Sequence, residues 1–289
     1  MGGNGELFGI TGATGEVGGR VASRLAALGC TQRLIVRNAA AAPKLAGAEV
    51  ATITDYGDFE SVNAAAEGLD TLFLVSGREH EDRLKQHKTA IDAVESAGVG
   101  RIVYLSFLGA APDATFTLAR QHYATEEHIR TKGIPFTFLR SSLYLDVIPW
   151  VCSPGGMIAG PAGKGRLAPV ARDDVADTVV AVLTSREHDG ASYDNTGPKT
   201  LSLQDVAEEL SRVTGKTVRY KNETVEEAWA SRRPTGAPEW EIEGWITSYL
   251  AIARGELDVV SDTVARLTGH PPMSLPEFLE AHPDSCNHI

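Results

Sequence analysis

The sequence predicts an α/β fold: a Rossmann-type, doubly wound parallel sheet followed by a smaller C-terminal α/β substrate region. Three observations carry that expectation. Strand-like and helix-like segments alternate over the first half of the chain. The strand-like segments are near-continuous apolar runs, as in a parallel sheet covered on both faces. A glycine-rich loop stands between the first strand and the first helix, as in nucleotide-binding sheets.

The elements follow in order. Short β-rich runs lie at Leu7–Thr11, Arg33–Arg37, Glu49–Thr54, Thr71–Ser76, Arg101–Ser106 and Phe136–Arg140. After the first of them, Val17, Val21, Leu25 and Leu28 recur at helical spacing. Leu84, Ile91 and Val94 form a second stripe, and Gly29, Gly98 and Gly133 read as helix stops before the next strand. The second half is less regular. Residues 153–165, SPGGMIAGPAGKG, read as a Gly/Pro-rich connection, and Asp173–Leu183 as a helix. Ser202, with Asp205 three residues on, opens a further helix in the manner of a capping box, and Gly215 closes it. Val218–Tyr220 reads as a strand. Residues 225–255, with Trp229, Trp240, Trp245 and Tyr249, read as helical, broken by RRPTGAP. The expected division is a Rossmann domain over 6–145 and a C-terminal region over 146–289, partly packed back on the first.

Composition bounds the function. The 289 residues hold 27 Lys+Arg against 38 Asp+Glu, a net charge of −11, with no basic stripe. That argues against binding a nucleic-acid backbone. Hydrophobic residues at 43% and charged residues at 22% are ordinary for a globular chain and exclude a largely disordered one. No apolar run reaches the ~18 residues of a membrane span. Cys30, Cys152 and Cys286 show neither CxxC nor metal-ligand spacing, so free thiols in a reducing compartment, and no metal site, are expected. The N-terminus lacks the basic and apolar regions of a signal peptide. Residues 1–5 read as a flexible leader, and a cytoplasmic location is expected.

The strongest motif is Thr11-Gly12-Ala13-Thr14-Gly15-Glu16-Val17-Gly18. Gly12 allows the tight turn, Gly15 the close approach of a pyrophosphate, and Gly18 the packing of helix on strand. Helix N-terminal amides then face the phosphates. The bland alternative is a turn that merely packs a helix on a sheet. At the end of the second strand an acidic residue would hold the ribose hydroxyl of NAD. Arg37 stands there, in LIVRN, and an arginine suits the 2′-phosphate of NADP. The bland alternative is a solvated strand-end residue. Asp55, in ITDYGD, could bond the adenine amine, cap the helix starting near Phe59, or do both.

At these residues the chain resembles the NmrA-like branch of the atypical short-chain dehydrogenases/reductases. TGATGEVG, IVRN, TDYGD, LFLVSG, IDAVESAGV, RIVYLSF, ATEEHIRTKGIPFTFLRSSLY, RDDVADTV and DTVARLTGHPPMSLPEFLEAH fall in that family's order, nearly the whole chain. Within the branch the likeness is to its quinone reductases and triphenylmethane reductases, above all over His122–Tyr144. The resemblance implies a Rossmann domain with NADP(H) as cofactor. Gly12, Ala13, Thr14, Gly15, Glu16, Val17 and Gly18 would hold the pyrophosphate and Arg37 the 2′-phosphate. Val75, Ser76 and Gly77 would run beside the ribose. Ser106 and Phe107 would lie near the nicotinamide, and Arg140–Tyr144, Ser141 included, would border cofactor and substrate.

One part of the pattern is broken. Typical members of the superfamily carry a Tyr-xxx-Lys pair, the Tyr as acid/base and the Lys lowering its pKa. By register those places fall on Leu118 and His122. Leucine has no proton to give, so the usual alcohol–ketone chemistry is missing. Leu118, His122, Thr125 and Ile129 share one helix face, which aims His122 inward, as a core residue or toward a ligand. Ketone reduction makes a basic alkoxide that needs a general acid. A quinone gives a far less basic phenolate, and a cationic carbon gives a neutral product. Such acceptors could be reduced largely through proximity. The expected function is therefore direct hydride transfer from NADPH to a quinone or other electron-poor aromatic, with Ser106, His122 and Tyr144 as polar helpers. The expected partner is a small aromatic substrate, with no nucleic acid and no membrane; a homodimer is left open. An NADP(H)-sensing regulator without turnover is the alternative, since losing the pair suits it as well. A nucleotide-sugar epimerase or dehydratase is disfavoured, since it generally needs the pair. Trp150, Trp229, Trp240 and Trp245 could wall a flat substrate or fill the small region's core. Glu239, Glu241 and Glu243 read as a solvated face that could favour a cationic acceptor.

Overall fold

The computed structural model describes residues 5–289; all but Gly5 of the expected leader lies outside the described residues. In chain order the elements are β1 (Leu7–Thr11), α1 (Glu16–Ala27), β2 (Thr31–Val36), β3 (Ala48–Thr52), α2 (Phe59–Ala66), β4 (Thr71–Leu74), α3 (Arg83–Ser96), β5 (Ile102–Phe107), α4 (Thr117–Arg130) and β6 (Phe136–Ser141). There follow β7 (Met157–Gly160), β8 (Arg166–Leu167), α5 (Arg172–Leu183), β9 (Ser192–Asn195), β10 (Leu201–Ser202), α6 (Leu203–Thr214), β11 (Arg219–Asn222), α7 (Val225–Arg232), α8 (Glu239–Ala253), α9 (Thr263–Thr268) and α10 (Leu275–Ala281).

Seven strands form one sheet in the order β3-β2-β1-β4-β5-β6-β9, and β1 pairs in parallel with both β2 and β4. The six apolar runs become its first six strands. The seventh was not legible as a strand: β9 is SYDN, a polar edge segment without an apolar run. Ile10, Leu34, Phe73, Ile102 and Phe138 from five neighbouring strands are all fully buried. The strand order reverses between β1 and β4. In such sheets the ligand crevice lies at the carboxyl ends of the strands at that reversal, where the loops leaving β1 and β4 begin.

Two helices set these loops. In α1, Val17, Val21 and Leu25 are buried, while Leu28 caps the C-terminal end at 63% exposure, so the inward stripe stops a turn earlier than its spacing implies. In α3 the buried face is Arg83, His87, Ala90, Ile91 and Val94, whereas Leu84 is half-buried. Its inward stripe therefore begins with two polar residues.

The chain divides into two compact units, and the division is not one cut after residue 145. The first takes residues 5–107, Gln121–Arg140 and Val175–Tyr193; the second takes Leu108–Arg120, Ser141–Asp174 and Asp194–Ile289. Ion pairs explain why 175–193 joins the first. Fully buried Arg101 reaches Asp189 Oδ1 with Nε at 2.7 Å and donates to the carbonyls of Val182 and Ser185. Arg24 Nε lies 2.6 Å from Asp177 Oδ1.

In the second unit, β7 pairs with β11 and β8 with β10. Residues 153–165 thus contain a strand and are more than a connection. The expected capping box forms between Ser202 and Asp205, and Gly215 closes α6 at φ +68°. Trp229 and Trp245 pack against Ala228, Ile242 and Ile246, so these two fill core. Trp150 is 64% exposed and stacks on His288, with centroids 4.3 Å apart. Glu239 and Glu243 are exposed and Glu241 half-buried. Thr115 is bonded to Glu256 and to Arg254, and the Thr117 amide donates to Thr247 Oγ1. Among the described residues no helix is long and apolar enough to cross a membrane.

Candidate functional site

The glycine loop leaves β1 with Gly12 at φ +61°, and the Gly15 amide donates back to the Gly12 carbonyl at 2.8 Å. A Cβ on Gly18 would stand 2.3 Å from the Gly12 carbonyl oxygen, so only glycine fits. Helix α1 starts at Glu16 behind Gly15, which offers no side-chain cap. No cap side chain therefore competes for the first-turn amides, and the positive end of the helix dipole favours an anion there. This cradle fits a pyrophosphate. Within it Ala13 is buried and Thr14 exposed. The Glu16 carboxylate pairs with Arg20 at 2.5 Å.

Arg37 follows β2, exposed, and forms no ion pair or hydrogen bond with any described residue. Asp55 differs from one of the roles weighed for it. Its Oδ1 accepts from the Gly57 amide at 2.6 Å, a local turn, while Asp58 accepts from the Ser61 amide and caps α2. The cap residue is the one with its side chain at the N-terminus proper, three residues further on.

The loop leaving β4 is pinned from several sides. The Val75 amide donates to Thr11 Oγ1 at 2.8 Å, and that hydroxyl donates to the Phe73 carbonyl. Tyr56 donates its hydroxyl to the Val75 carbonyl at 2.9 Å, and burial pushes its phenol up to about 12. A Cβ on Gly12 would meet the Val75 side chain at 3.3 Å, so the two loops lie in contact.

Gly77 is held at both ends of its backbone. Its amide donates to His87 Nε2 at 2.8 Å, and its carbonyl accepts from Arg83 Nε at 2.8 Å. The proton inventory then settles the tautomers. Arginine only donates, so His122 Nε2, 2.9 Å from Arg83 Nη2, is an acceptor. Its proton sits on Nδ1, 2.9 Å from the Tyr104 hydroxyl. His87 Nε2 accepts from Gly77, so its proton sits on Nδ1 and goes to Thr125 Oγ1 at 3.1 Å. Thr125 donates onward to the Gln121 carbonyl. Burial, and then the charge of Arg83, hold both imidazoles neutral, well below the usual histidine range.

The expected inward face of α4 is observed, with Leu118, His122, Thr125 and Ile129 all buried. It places His122 in a core network, with both ring nitrogens committed, rather than as a proton donor. Ser106 is committed as well: it donates to Glu126 Oε1 at 2.6 Å. Glu126 is fully buried and also receives Arg140. Ser76 and Phe107 are half-buried, and the Phe107 ring lies 6.1 Å from that of His122. Ser141 and Tyr144 belong to the second unit. Ser141 is buried, and its amide-linked carbonyl accepts from Leu108. Burial pushes the Tyr144 phenol up to about 12 against the opposing pull of Arg172, whose guanidinium lies 5.0 Å from the ring centroid. Sequence reasoning missed Tyr56, Arg83, His87 and Glu126. The signal was present for two of them: extending the apolar stripe Ile91–Val94 backward by four-residue steps lands on His87 and Arg83.

The family model for NAD(P)H binding matches residues 12–186, more than half the chain and both switch-point loops. The chain belongs to the NAD(P)H-binding, NmrA-like family. Among relatives of this family member is quinone oxidoreductase 2 of Escherichia coli, 33% identical over 278 residues, covering 94% of this chain and 96% of the relative. The NAD(P)H azoreductase of Xenophilus azovorans is 29% identical over 94% of this chain and 96% of its own. The crystal structure of the Citrobacter sp. triphenylmethane reductase complexed with NADP(H) superposes with a TM-score of 0.83 at 32% identity, covering 95% of this chain and 99% of the other. As a member of this family the chain is an NAD(P)H-dependent reductase.

Proposed function

We propose that the protein reduces a quinone or another electron-poor aromatic acceptor by direct hydride transfer from NADPH, without a Tyr-xxx-Lys pair. The observation that carries this reading is the state of the polar groups where that pair would act. Leu118 is a buried hydrocarbon, His122 has both nitrogens committed, and the Ser106 proton is given to Glu126. An acceptor that must be protonated as the hydride arrives would find no donor in these three.

When bound, NADPH supplies a hydride, which is to say a proton and two electrons to the acceptor carbon or oxygen. The chain's own residues bind and orient. First-turn amides of α1 and the glycine loop take the pyrophosphate, Arg37 takes the 2′-phosphate, and Val75–Gly77 runs along the ribose. Ser106 and Phe107 border the nicotinamide. A reduced quinone leaves a phenol-type oxyanion whose conjugate acid ionises near ~10, which water can protonate after the transfer. The quinone, azo and triphenylmethane substrates named for the relatives are all conjugated acceptors, which supports the same class here.

The test is NADPH oxidation at 340 nm with a panel of benzoquinones, naphthoquinones, azo dyes and cationic triphenylmethane dyes. Turnover with at least one conjugated acceptor and none with simple ketones is expected. Tight NADPH binding with no turnover on any member of the panel would overturn the reading and leave the cofactor-sensing alternative.

A further inference from the structure

We infer that Arg83, His87 and His122 are positioning residues for the cofactor: they form two arms of buried hydrogen bonds that grip both ends of the Gly77 peptide and hold the loop that borders the ribose. The inference rests on the proposed role of Val75–Gly77.

Two arms can be followed atom by atom. From the Gly77 carbonyl the first passes to Arg83 Nε, from Arg83 Nη2 to His122 Nε2, and from His122 Nδ1 to the Tyr104 hydroxyl. In the second the Gly77 amide donates to His87 Nε2, and His87 Nδ1 donates to Thr125 Oγ1. Every member from Arg83 to Thr125 is buried. Each proton has one consistent direction. If either histidine took the other tautomer, a ring N–H would face an obligatory donor: the Gly77 amide for His87, the Arg83 guanidinium for His122.

A buried polar network of this kind is costly unless fully satisfied. A solvated turn would need no such network. A scaffold role alone could be met by apolar side chains, such as Ile91 of α3 and Ile129 of α4 in the same core. What the two arms add is control of one peptide plane, at the exit of the switch-point strand β4. Gly77 also has no room to carry that control in its own side chain, since a Cβ would meet His87 Nε2 at 3.2 Å.

The experiment compares His87→Ala with His87→Gln, reading the NADPH dissociation constant by fluorescence titration, KM and kcat with one accepted quinone, and the melting temperature of the cofactor-free protein. Glutamine can accept from Gly77 through its carbonyl and donate to Thr125 through its amide, whereas alanine can do neither. His87→Ala should raise the dissociation constant about tenfold, the scale of one lost buried hydrogen bond, with the larger share of the kinetic loss in KM for NADPH. His87→Gln should recover most of it. Affinity unchanged in His87→Ala while the melting temperature falls would overturn the inference, as would a glutamine variant no better than alanine. If His87→Ala does not fold, Arg83→Lys carries the same test, because one ammonium on a flexible stem cannot hold both Gly77 and His122 in the fork geometry. Failure of the wild-type protein to bind NADPH would instead overturn the reading of the loop itself, and is distinguished by being visible before any variant is made.

Discussion

Glu126 is fully buried and takes both prongs of Arg140, with Nε 2.8 Å from Oε1 and Nη2 2.5 Å from Oε2. Ser106 donates to the same Oε1 at 2.6 Å, so one carboxylate joins β5, α4 and β6. Removing its charge leaves the guanidinium short of an anion in a poorly solvated place. Glu126→Gln is expected to cost about 2–3 kcal/mol in urea unfolding. That lies below the ~3–5 kcal/mol for a fully buried pair, because the Arg140 side chain keeps 23% of its surface in contact with solvent. A loss under about 0.5 kcal/mol would show that water replaces the carboxylate freely.

The two glycines of the loop should separate by readout. A methyl on Gly18 would sit 2.3 Å from the Gly12 oxygen and 2.8 Å from that of Thr11, both backbone atoms that cannot rotate away. Gly18→Ala should therefore destabilise the cofactor-free protein by about 1–3 kcal/mol, read as a lower melting temperature. A methyl on Gly15 would meet only the Gly12 oxygen, at 3.2 Å, and Gly15 has an ordinary extended φ of −98°. Gly15→Ala should keep its stability within about 1 kcal/mol and lose NADPH affinity, because the methyl intrudes where the pyrophosphate approaches. Unchanged affinity in Gly15→Ala would remove this residue from the cofactor cradle.

This contrast also shows what could be read from the chain. The loop was legible because its chemistry is local: positive φ, close packing and a helix start each demand glycine at a set spacing. The first six strands were legible through apolar runs, and the α6 cap through Ser202 and Asp205. The polar strand β9 was not, because an edge strand takes its identity from the neighbour it pairs with. The hydrogen-bond network on Gly77 was only half legible. Arg83 and His87 stand four residues apart on the inward stripe of α3, but their partners Tyr104, His122 and Thr125 lie on other elements, and each alone looks like an ordinary core residue. Asp55 and Asp58 illustrate the finer limit. Two carboxylates three positions apart can both cap, and backbone geometry chooses between them.

Acid should weaken the fold through the two buried histidines, His87 and His122. His87 is faced by Arg83 on its own helix, by Tyr56, and by Tyr104 from β5 and Thr125 from α4; His122 is faced by Arg83, Tyr104 and Phe107, with Glu126 near Tyr104. Burial and the Arg83 charge depress both pKa values in the folded state. In the unfolded chain they titrate near about 6.5. Below that pH the unfolded state binds more protons, so stability is complete above it and falls as pH drops toward the depressed values. The slope is up to about 1.4 kcal/mol per pH unit for each histidine. Melting temperatures between about pH 5 and 7 should fall less steeply for His87→Gln than for wild type, because one of the two titrating groups is gone. Parallel curves would mean that His87 carries its proton in the folded state.

Arg37 should decide between the two nicotinamide cofactors. It stands exposed at the end of β2, beside the strand whose own carboxyl end opens the glycine loop, and no described carboxylate neutralises it. A guanidinium there can take a 2′-phosphate in a charge-assisted, two-pronged contact. Exposure to solvent moderates that contact, so the expected effect is about tenfold to thirtyfold in the dissociation constant for NADPH, a scale of ~1.4–2 kcal/mol. Arg37→Asp replaces attraction by repulsion for NADPH, while its carboxylate can accept from the free ribose hydroxyl of NADH. NADPH affinity should fall by at least that factor, with NADH affinity held or improved, and the difference should shrink as salt rises. Equal losses for both cofactors would show that Arg37 supports the strand end and does not read the phosphate.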